Sequence, residues 1–540
     1  MFSEETRTLE KRPRRLGMHR RRQRRNLPLL LTVLLLPLGC GDQGNRGGAS
    51  GDDSPIPEPE PGALEEVRAA VDPPVHSREA LPEDTIPLPE DTILTATTVV
   101  EGSRDSLPEG AAPAAGDSPS SPAGGGREES TGKAPRFPRP DQVRGIYLNA
   151  WSAGSSARRG RLVELARRTE VNTFVIDIKD ASGYVSHDSR VPLAREVGAT
   201  GELRIRDLPG MLREMEAAGI YPIARIVVAK DPLLAAGRPD LAIQDSAGGP
   251  WRDQKDVMWL NFFHPEVWSY HMDLAREVAE AGFPEIQWDY VRFPDAPEAY
   301  LGRARFPEQQ GRSRTQAVRG FLGFSREILG GMGVQVTADV FGVTTSYRRD
   351  VGIGQLWESF IDQVDVALPM VYPSHYWPGS FGFQEPNAYP YEIVRRALRD
   401  GLSRSAQVEG AGTIRPWLQD FSLGDPPYGA PEVRAQIQAA YDVGIQEWIL
   451  WNPGSRYTES ALIPASGLPS WLEPVMRVGG EVVAVSRRFE VLGEDVPQGV
   501  AVGSPEAEAA APAPAMKTLP GARALPAVPL PDTGRVSRRK

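Results

Sequence analysis

The chain has 540 residues, 40% of them hydrophobic, and a formal net charge of −10, so it can bury a large core and is ill-suited to general nucleic-acid binding. Its one cysteine, Cys40, excludes an intramolecular disulfide and any multi-cysteine metal site. The 54 Gly and 51 Pro gather toward the two ends, so the folded part is shorter than the chain.

Residues 1–40 read as an export signal. Arg20 to Arg25 hold a basic cluster, Leu27 to Leu38 form an apolar run of signal-peptide length, and Gly39-Cys40 follow at once. The run is too short for a comfortable transmembrane helix. The segment resembles a bacterial lipoprotein signal, which implies lipidation at Cys40. The protein would then sit in the cell envelope, membrane-anchored and facing the periplasm or exterior. A simple membrane anchor or ordinary secretion are the alternatives. Residues 41–138 are rich in Gly, Pro, Ser and Glu and repeat Leu81-Pro-Glu-Asp-Thr-Ile86 as Leu88-Pro-Glu-Asp-Thr-Ile93. Such a composition cannot bury enough apolar surface to offset ordering entropy, and reads as a disordered tether. The Ala/Pro-rich residues 491–540 read the same way.

Residues 139–490 change pattern. Eight short β-like runs, Gly145–Ala150, Thr173–Asp180, Tyr221–Lys230, Glu285–Phe293, Val334–Gly342, Asp365–Tyr372, Val408–Ile414 and Glu447–Asn452, are each separated by a helical pattern. The helices are expected at Arg161–Thr169, Leu208–Ala218, Pro265–Ala281, Arg314–Leu329, Gly354–Ile361, Tyr391–Leu402 and Pro431–Val443. Pro265 and Glu266 suit a helix start, and Gly219, Gly282 and Gly444 suit helix ends. Eightfold strand–helix alternation implies an α/β fold, a (β/α)8 TIM barrel. The structural alternative, a doubly wound open sheet, would usually carry a Gly-rich phosphate turn after an early strand, and none is present.

Strand side chains alternate in direction. In the fifth run, Val334, Val336, Ala338 and Val340 suit the helix-facing side, so Gln335, Thr337 and Asp339 should enter the barrel. In the fourth run Gln287, Asp289 and Val291 share one direction. Asp289 and Asp339 should therefore meet at the carboxyl-end mouth. Paired carboxylates suit glycosidic cleavage, one protonating the leaving oxygen while the other attacks the anomeric carbon or activates water. The alternative is a structural salt bridge with Arg292, Arg225 or Lys179.

Other residues are candidates for substrate binding. Asp177 and Lys179 share a direction in the second run, Arg225 faces inward in the third, and Asp231 closes it. Tyr372 and His375 follow the sixth run, Trp417 the seventh and Trp451 the eighth, as aromatic or hydrogen-bonding groups for sugar rings. Arg292 closes the fourth. Six histidines without HxH or HExxH spacing make a zinc centre improbable. No GxSxG elbow or Walker loop occurs, and no cofactor is expected.

These stretches resemble a family of bacterial glycoside hydrolases formerly classed as a domain of unknown function. The matching segments are Arg144-Gly-Ile-Tyr-Leu-Asn149, Phe174-Val-Ile-Asp-Ile-Lys-Asp180, Gln287-Trp-Asp-Tyr-Val-Arg-Phe-Pro294, Ala338-Asp-Val-Phe-Gly342 and Met370-Val-Tyr-Pro-Ser-His375. The resemblance implies a TIM barrel distantly related to the α-amylase and α-galactosidase groups, with a strand-four nucleophile at Asp289. The strand-five acid, commonly Glu in the amylase type, falls on Asp339. The expectation is an extracytoplasmic glycoside hydrolase acting on a polysaccharide or oligosaccharide. The rival readings are a non-catalytic carbohydrate-binding or envelope barrel, and a different barrel enzyme such as a deacetylase or metal-dependent lyase.

Overall fold

A computed structural model describes residues 136–495. The expected signal with Cys40, residues 41–135 of the expected tether and residues 496–540 lie outside the described residues.

Eight parallel strands close into a barrel. They are β1 (Arg144–Leu148), β2 (Thr173–Lys179), β3 (Tyr221–Val227), β4 (Glu285–Asp289), β5 (Gln335–Phe341), β6 (Val366–Met370), β7 in two pieces (Thr413–Ile414 and Trp417–Gln419), and β8 (Trp448–Trp451). Each pairs with the next, and β8 returns to β1 with Ile449 opposite Gly145. Helices α1 (Ser156–Arg168), α2 (Leu208–Ala218), α3 (Pro265–Ala281), α4 (Arg314–Gly330), α5 (Trp357–Phe360), α6 (Pro390–Ser405) and α7 (Ala430–Asp442) follow the first seven strands in turn. This is a (β/α)8 TIM barrel. A hairpin of β9 (Val475–Val478) and β10 (Glu481–Ala484) follows β8. No helix among the described residues is long and apolar enough to cross a membrane.

Packing against the helices sets which residues enter the barrel. Trp288 points outward from β4, its ring edge-on to Phe321 at 5.0 Å and its indole N–H donating to Ser325 Oγ at 2.7 Å, both on α4. Burying one tryptophan contributes roughly 4–6 kcal/mol. That anchor turns Gln287 and Asp289 to the opposite side, since a one-residue slip would press both polar groups into the helix layer. Gly219 and Gly282 close α2 and α3 in the left-handed region, at φ 68° and 116°.

Four elements differ from the sequence expectation, each for a local reason. β4 stops at Asp289 because Tyr290 turns left-handed, at φ 50°. A bulge in β2 sets Asp177 opposite Arg225 and Lys179 opposite the very next residue, Ile226. The fifth helix is only four residues long, because Gly352 and Gly354 upstream take positive φ. The seventh strand lies further along than Val408–Ile414. Val408 closes a turn on the Ser405 carbonyl, pairing begins at Thr413, and Pro416, which has no N–H, precedes the second piece.

Candidate active site

The carboxyl ends of the strands deliver a connected cluster of polar side chains. Arg225 of β3 stands at its centre, donating through Nε to Asp289 Oδ2 at 3.0 Å, with a second bond from its terminal nitrogen to the same oxygen. Its other terminal nitrogen is bonded to Asp177 on β2, and its Nε lies 3.7 Å from Asp339 Oδ2 on β5. Tyr147 of β1 donates its hydroxyl to the other Asp177 oxygen. Three carboxylates thus converge on a single guanidinium.

Asp289 and Asp339 meet as the alternation implied. Both reach the same Nε, at 3.0 and 3.7 Å, so their Oδ2 atoms lie within about 7 Å, the scale on which glycosidase carboxylates cooperate. Asp289 is held on its other side by the Tyr290 amide, which donates to Oδ1 at 2.6 Å. The left-handed turn at Tyr290 is backbone strain of the kind concentrated at functional sites.

Asp339 is 1% exposed, and its Oδ1 accepts from Gln287 Nε2 at 2.8 Å and Trp417 Nε1 at 2.6 Å. Burial, and then the charge of Asp289, hold its carboxyl well above the usual carboxylate range. The attraction of Arg225 and the Trp417 and Gln287 donors oppose that shift without cancelling it. With Oδ1 engaged by two donors, a retained proton belongs on Oδ2, the oxygen nearer Arg225. Burial likewise raises Asp177, against the pull of Arg225. Burial and then the charges of Asp339 and Asp289 hold the Tyr372 hydroxyl above the usual phenol range, so it remains a donor beside the pair.

Aromatic rings wall the cluster. Tyr147 stacks on Trp451 at 4.0 Å, and Trp451 meets Trp417 edge-on at 5.4 Å. The Arg225 guanidinium lies 5.6 Å from the Tyr147 ring centre and 5.3 Å from that of Trp451. His375 is half-buried, with Nδ1 3.0 Å from Ser374 Oγ, and burial lowers its pKa to about 4, which leaves it neutral at pH 7. Ser374 Oγ in turn donates to Gln419 Oε1 at 2.8 Å, tying the loop after β6 to β7.

Four of the expected substrate contacts lie elsewhere or act otherwise. Lys179 and Asp231 are 0% and 1% exposed and form a 2.9 Å ion pair, with Lys179 also donating to the Val227 carbonyl at 2.7 Å. The β2 bulge takes Lys179 out of phase with Asp177. Its charge acts on His271, which like Tyr270 belongs to α3, so the pair lies toward the helical jacket. Asp231 also caps the short helix Pro232–Gly237 through the Leu234 amide. Arg292 is buried among Trp259, Tyr290 and Phe341, 4.6–5.1 Å from their ring centres, because the turn at Tyr290 carries the chain out of β4 before it. Trp417 belongs to β7 itself, is 1% exposed, and serves Asp339 as a hydrogen-bond donor instead of offering a ring face to a sugar.

Tyr147, Gln287 and the Tyr290 amide were not assigned roles from sequence. For Tyr147 a signal existed, a polar-tipped ring between Ile146 and Leu148. For the amide none did, because a left-handed tyrosine has no sequence mark. Among the described residues no group of three or more His, Cys, Asp or Glu side chains is arranged to hold a metal ion, and a guanidinium occupies the centre of the carboxylate cluster.

Residues 145–457 match a family described as a "putative glycosyl hydrolase domain". The chain belongs to this family. The glycosyl hydrolase domain is similar to a hypothetical protein from Ruminiclostridium thermocellum ATCC 27405, with 37% identity over 36% of this chain and 97% of that one, at a TM-score of 0.33. It is also similar to the PgaB (BpsB) glycoside hydrolase domain from Bordetella bronchiseptica, with 15% identity, 58% and 95% coverage and a TM-score of 0.40. The GH20 exo-β-N-acetylglucosaminidase from Vibrio harveyi matches at 15% identity and a TM-score of 0.36, over 59% of this chain and 51% of that one. No curated protein matches the sequence.

Proposed function

We propose that this protein is a glycoside hydrolase that cleaves a polysaccharide or oligosaccharide, with Asp289 as nucleophile and Asp339 as acid/base. The observation that carries this reading is the charge imbalance at the mouth, where one guanidinium faces three carboxylates and the Asp339 carboxyl is held above its ordinary range. Glycosidic cleavage needs a proton donor beside a second carboxyl group, and a carboxyl raised above its ordinary range suits the donor.

In the first step an Asp289 oxygen bonds to the anomeric carbon as the bond to the leaving oxygen breaks, and Asp339 gives that oxygen its proton. In the second, Asp339, now a carboxylate, takes a proton from water as the water oxygen bonds to the same carbon and Asp289 departs. Arg225 and the Tyr290 amide orient the attacking carboxylate, and Trp417 and Gln287 orient the acid. In this reading Tyr372, Trp451 and His375, which line the cluster, would meet the sugar at its inner end.

The test is a screen of the purified protein against α- and β-linked aryl glycosides and bacterial exopolysaccharides, followed by Asp289→Asn. The expected result is loss of sugar release with the fold intact. Undiminished release by that variant would end the assignment. The basic cluster, apolar run and Cys40 support work outside the cytoplasm, in the cell envelope, on a membrane tether. Incorporation of labelled fatty acid by the wild type, abolished in Cys40→Ala, is the expected outcome.

A further inference from the structure

Most tryptophans of the barrel are buried, but Trp151 is 56% exposed. It sits on the short helix Ala150–Gly154 directly after β1, at the same end of the barrel as Asp289 and Asp339. Tyr147, which touches Asp177 inside the cluster, is four residues earlier. Four residues span at most about 14 Å, so the ring stands on the rim of the same mouth.

The ring is backed and its support is pinned. The Arg204 guanidinium lies 5.4 Å from the Trp151 ring centre and 5.2 Å from that of Tyr184. Arg204 is itself ion-paired to Asp180 and, at 2.8 Å, to Glu202. The loop carrying Arg204 presses so closely on the helix that a Cβ at Gly154 would stand 1.7 Å from the Arg204 carbonyl oxygen. On the other side Asn149 caps the helix through the Ser152 amide at 2.8 Å and donates to the Pro453 carbonyl at 2.9 Å, linking it to the segment after β8. Two neighbouring segments, the loop after β2 and the chain after β8, therefore hold the helix that carries Trp151 while the residue remains 56% exposed. A large apolar group held rigid and exposed at the rim of a polar cleft has the design of a binding contact.

We infer that Trp151 is an outlying sugar-binding platform, and that the substrate is a chain long enough to lie across the mouth from the carboxylates to this ring. The inference rests on the glycoside hydrolase reading and adds the substrate's length. An aromatic face backed by a fixed cation offers an apolar ring surface to sugar C–H groups and leaves the hydroxyls to water.

The experiment uses affinity electrophoresis of the full chain carrying Asp289→Asn, which prevents cleavage, in gels containing soluble starch, hydroxyethylcellulose, glucomannan, xylan or glycol chitin. At least one polymer is expected to retard the protein. Adding Trp151→Ala should weaken that retardation about tenfold in apparent affinity, and Trp151→Tyr should restore most of it. In the otherwise wild-type enzyme, Trp151→Ala should lower the ratio of kcat/KM on the polymer to kcat/KM on a short oligosaccharide, chiefly through KM. No retardation by any of the five polymers, or equal retardation with and without the indole, overturns the inference. Sugar release by Asp289→Asn would instead overturn the cleavage reading, so the two failures are separable.

Discussion

Two buried charge clusters share the interior of one barrel, one at the floor and one at the mouth. At the floor Arg415 is paired with Glu285 at 2.7 Å and Glu447 at 3.0 Å, and Arg139 joins Glu447 at 2.6 Å. At the mouth Arg225 is shared by Asp177, Asp289 and Asp339. The floor therefore balances two cations against two anions, and every group can stay charged. The mouth has more carboxylates than its guanidinium can neutralise, so holding a proton is favoured there. Both clusters consist of ion pairs, and the central guanidinium of each is buried. Stoichiometry, more than burial, distinguishes the two clusters, and on the proposed function it marks the mouth as the place for chemistry.

That contrast can be broken from either side. Asp289→Asn should cut kcat/KM by about 10⁴-fold or more while thermal unfolding stays cooperative, as measured by sugar release and calorimetry. Asp339→Asn should cost about 10²–10⁴-fold on ordinary glycosides and far less on aryl glycosides with good leaving groups, which need no acid. Because the native Asp339 carboxyl is raised, the wild-type rate should fall as pH climbs through that raised value, and the variant's profile should lose that limb. At the floor the same kind of damage should appear in stability. Arg415→Met leaves Glu285 buried without its cation and should cost about 3–5 kcal/mol in urea unfolding, with kcat of the folded fraction little changed.

The smallest effect belongs to a carboxylate at neither cluster. Glu277 of α3 is partly buried, which works to raise its pKa. Hydrogen bonds from His187, Ser189 and the Arg190 amide outweigh burial and bring it from 4.5 to about 2. Its folded pKa is depressed, so its stabilisation is present above pH 4.5 and fades as pH falls toward 2. After a discount for solvent it amounts to about 1 kcal/mol. Glu277→Gln should flatten the acid side of the stability profile by that amount.

Much of the barrel was legible because strands alternate and helices end at glycine. The inward phase of Asp339 followed from the apolar face of β5, that of Asp289 from the direction it shares with Gln287, and Arg225 was read by the same alternation. Lys179 was misplaced because alternation fails at a bulge, and a bulge leaves no mark in Asp177-Ile178-Lys179. Asp231 carried a readable sign, since an acid directly before Pro232 is a helix cap. Trp417 was taken for a loop residue because the seventh strand was expected to end at Ile414, whereas a second piece begins beyond Pro416. Arg292 was read on the assumption of an extended chain through Tyr290, whereas the left-handed turn there leaves its guanidinium buried among the rings of Trp259, Tyr290 and Phe341.

The broken seventh strand has a consequence for how the cylinder holds its shape. The ladder between β6 and β7 joins Val366 to Thr413 and Ala367 to Ile414, then resumes with Met370 and Trp417 across Arg415-Pro416. Arg415 occupies that gap, its amide on the Ala367 carbonyl at 3.0 Å and its side chain on the far stave through Glu285. The interrupted seam is thus stitched by an ionic thread drawn through the lumen, and Trp417, whose indole donates to Asp339, is the first residue beyond the proline that follows the stitch.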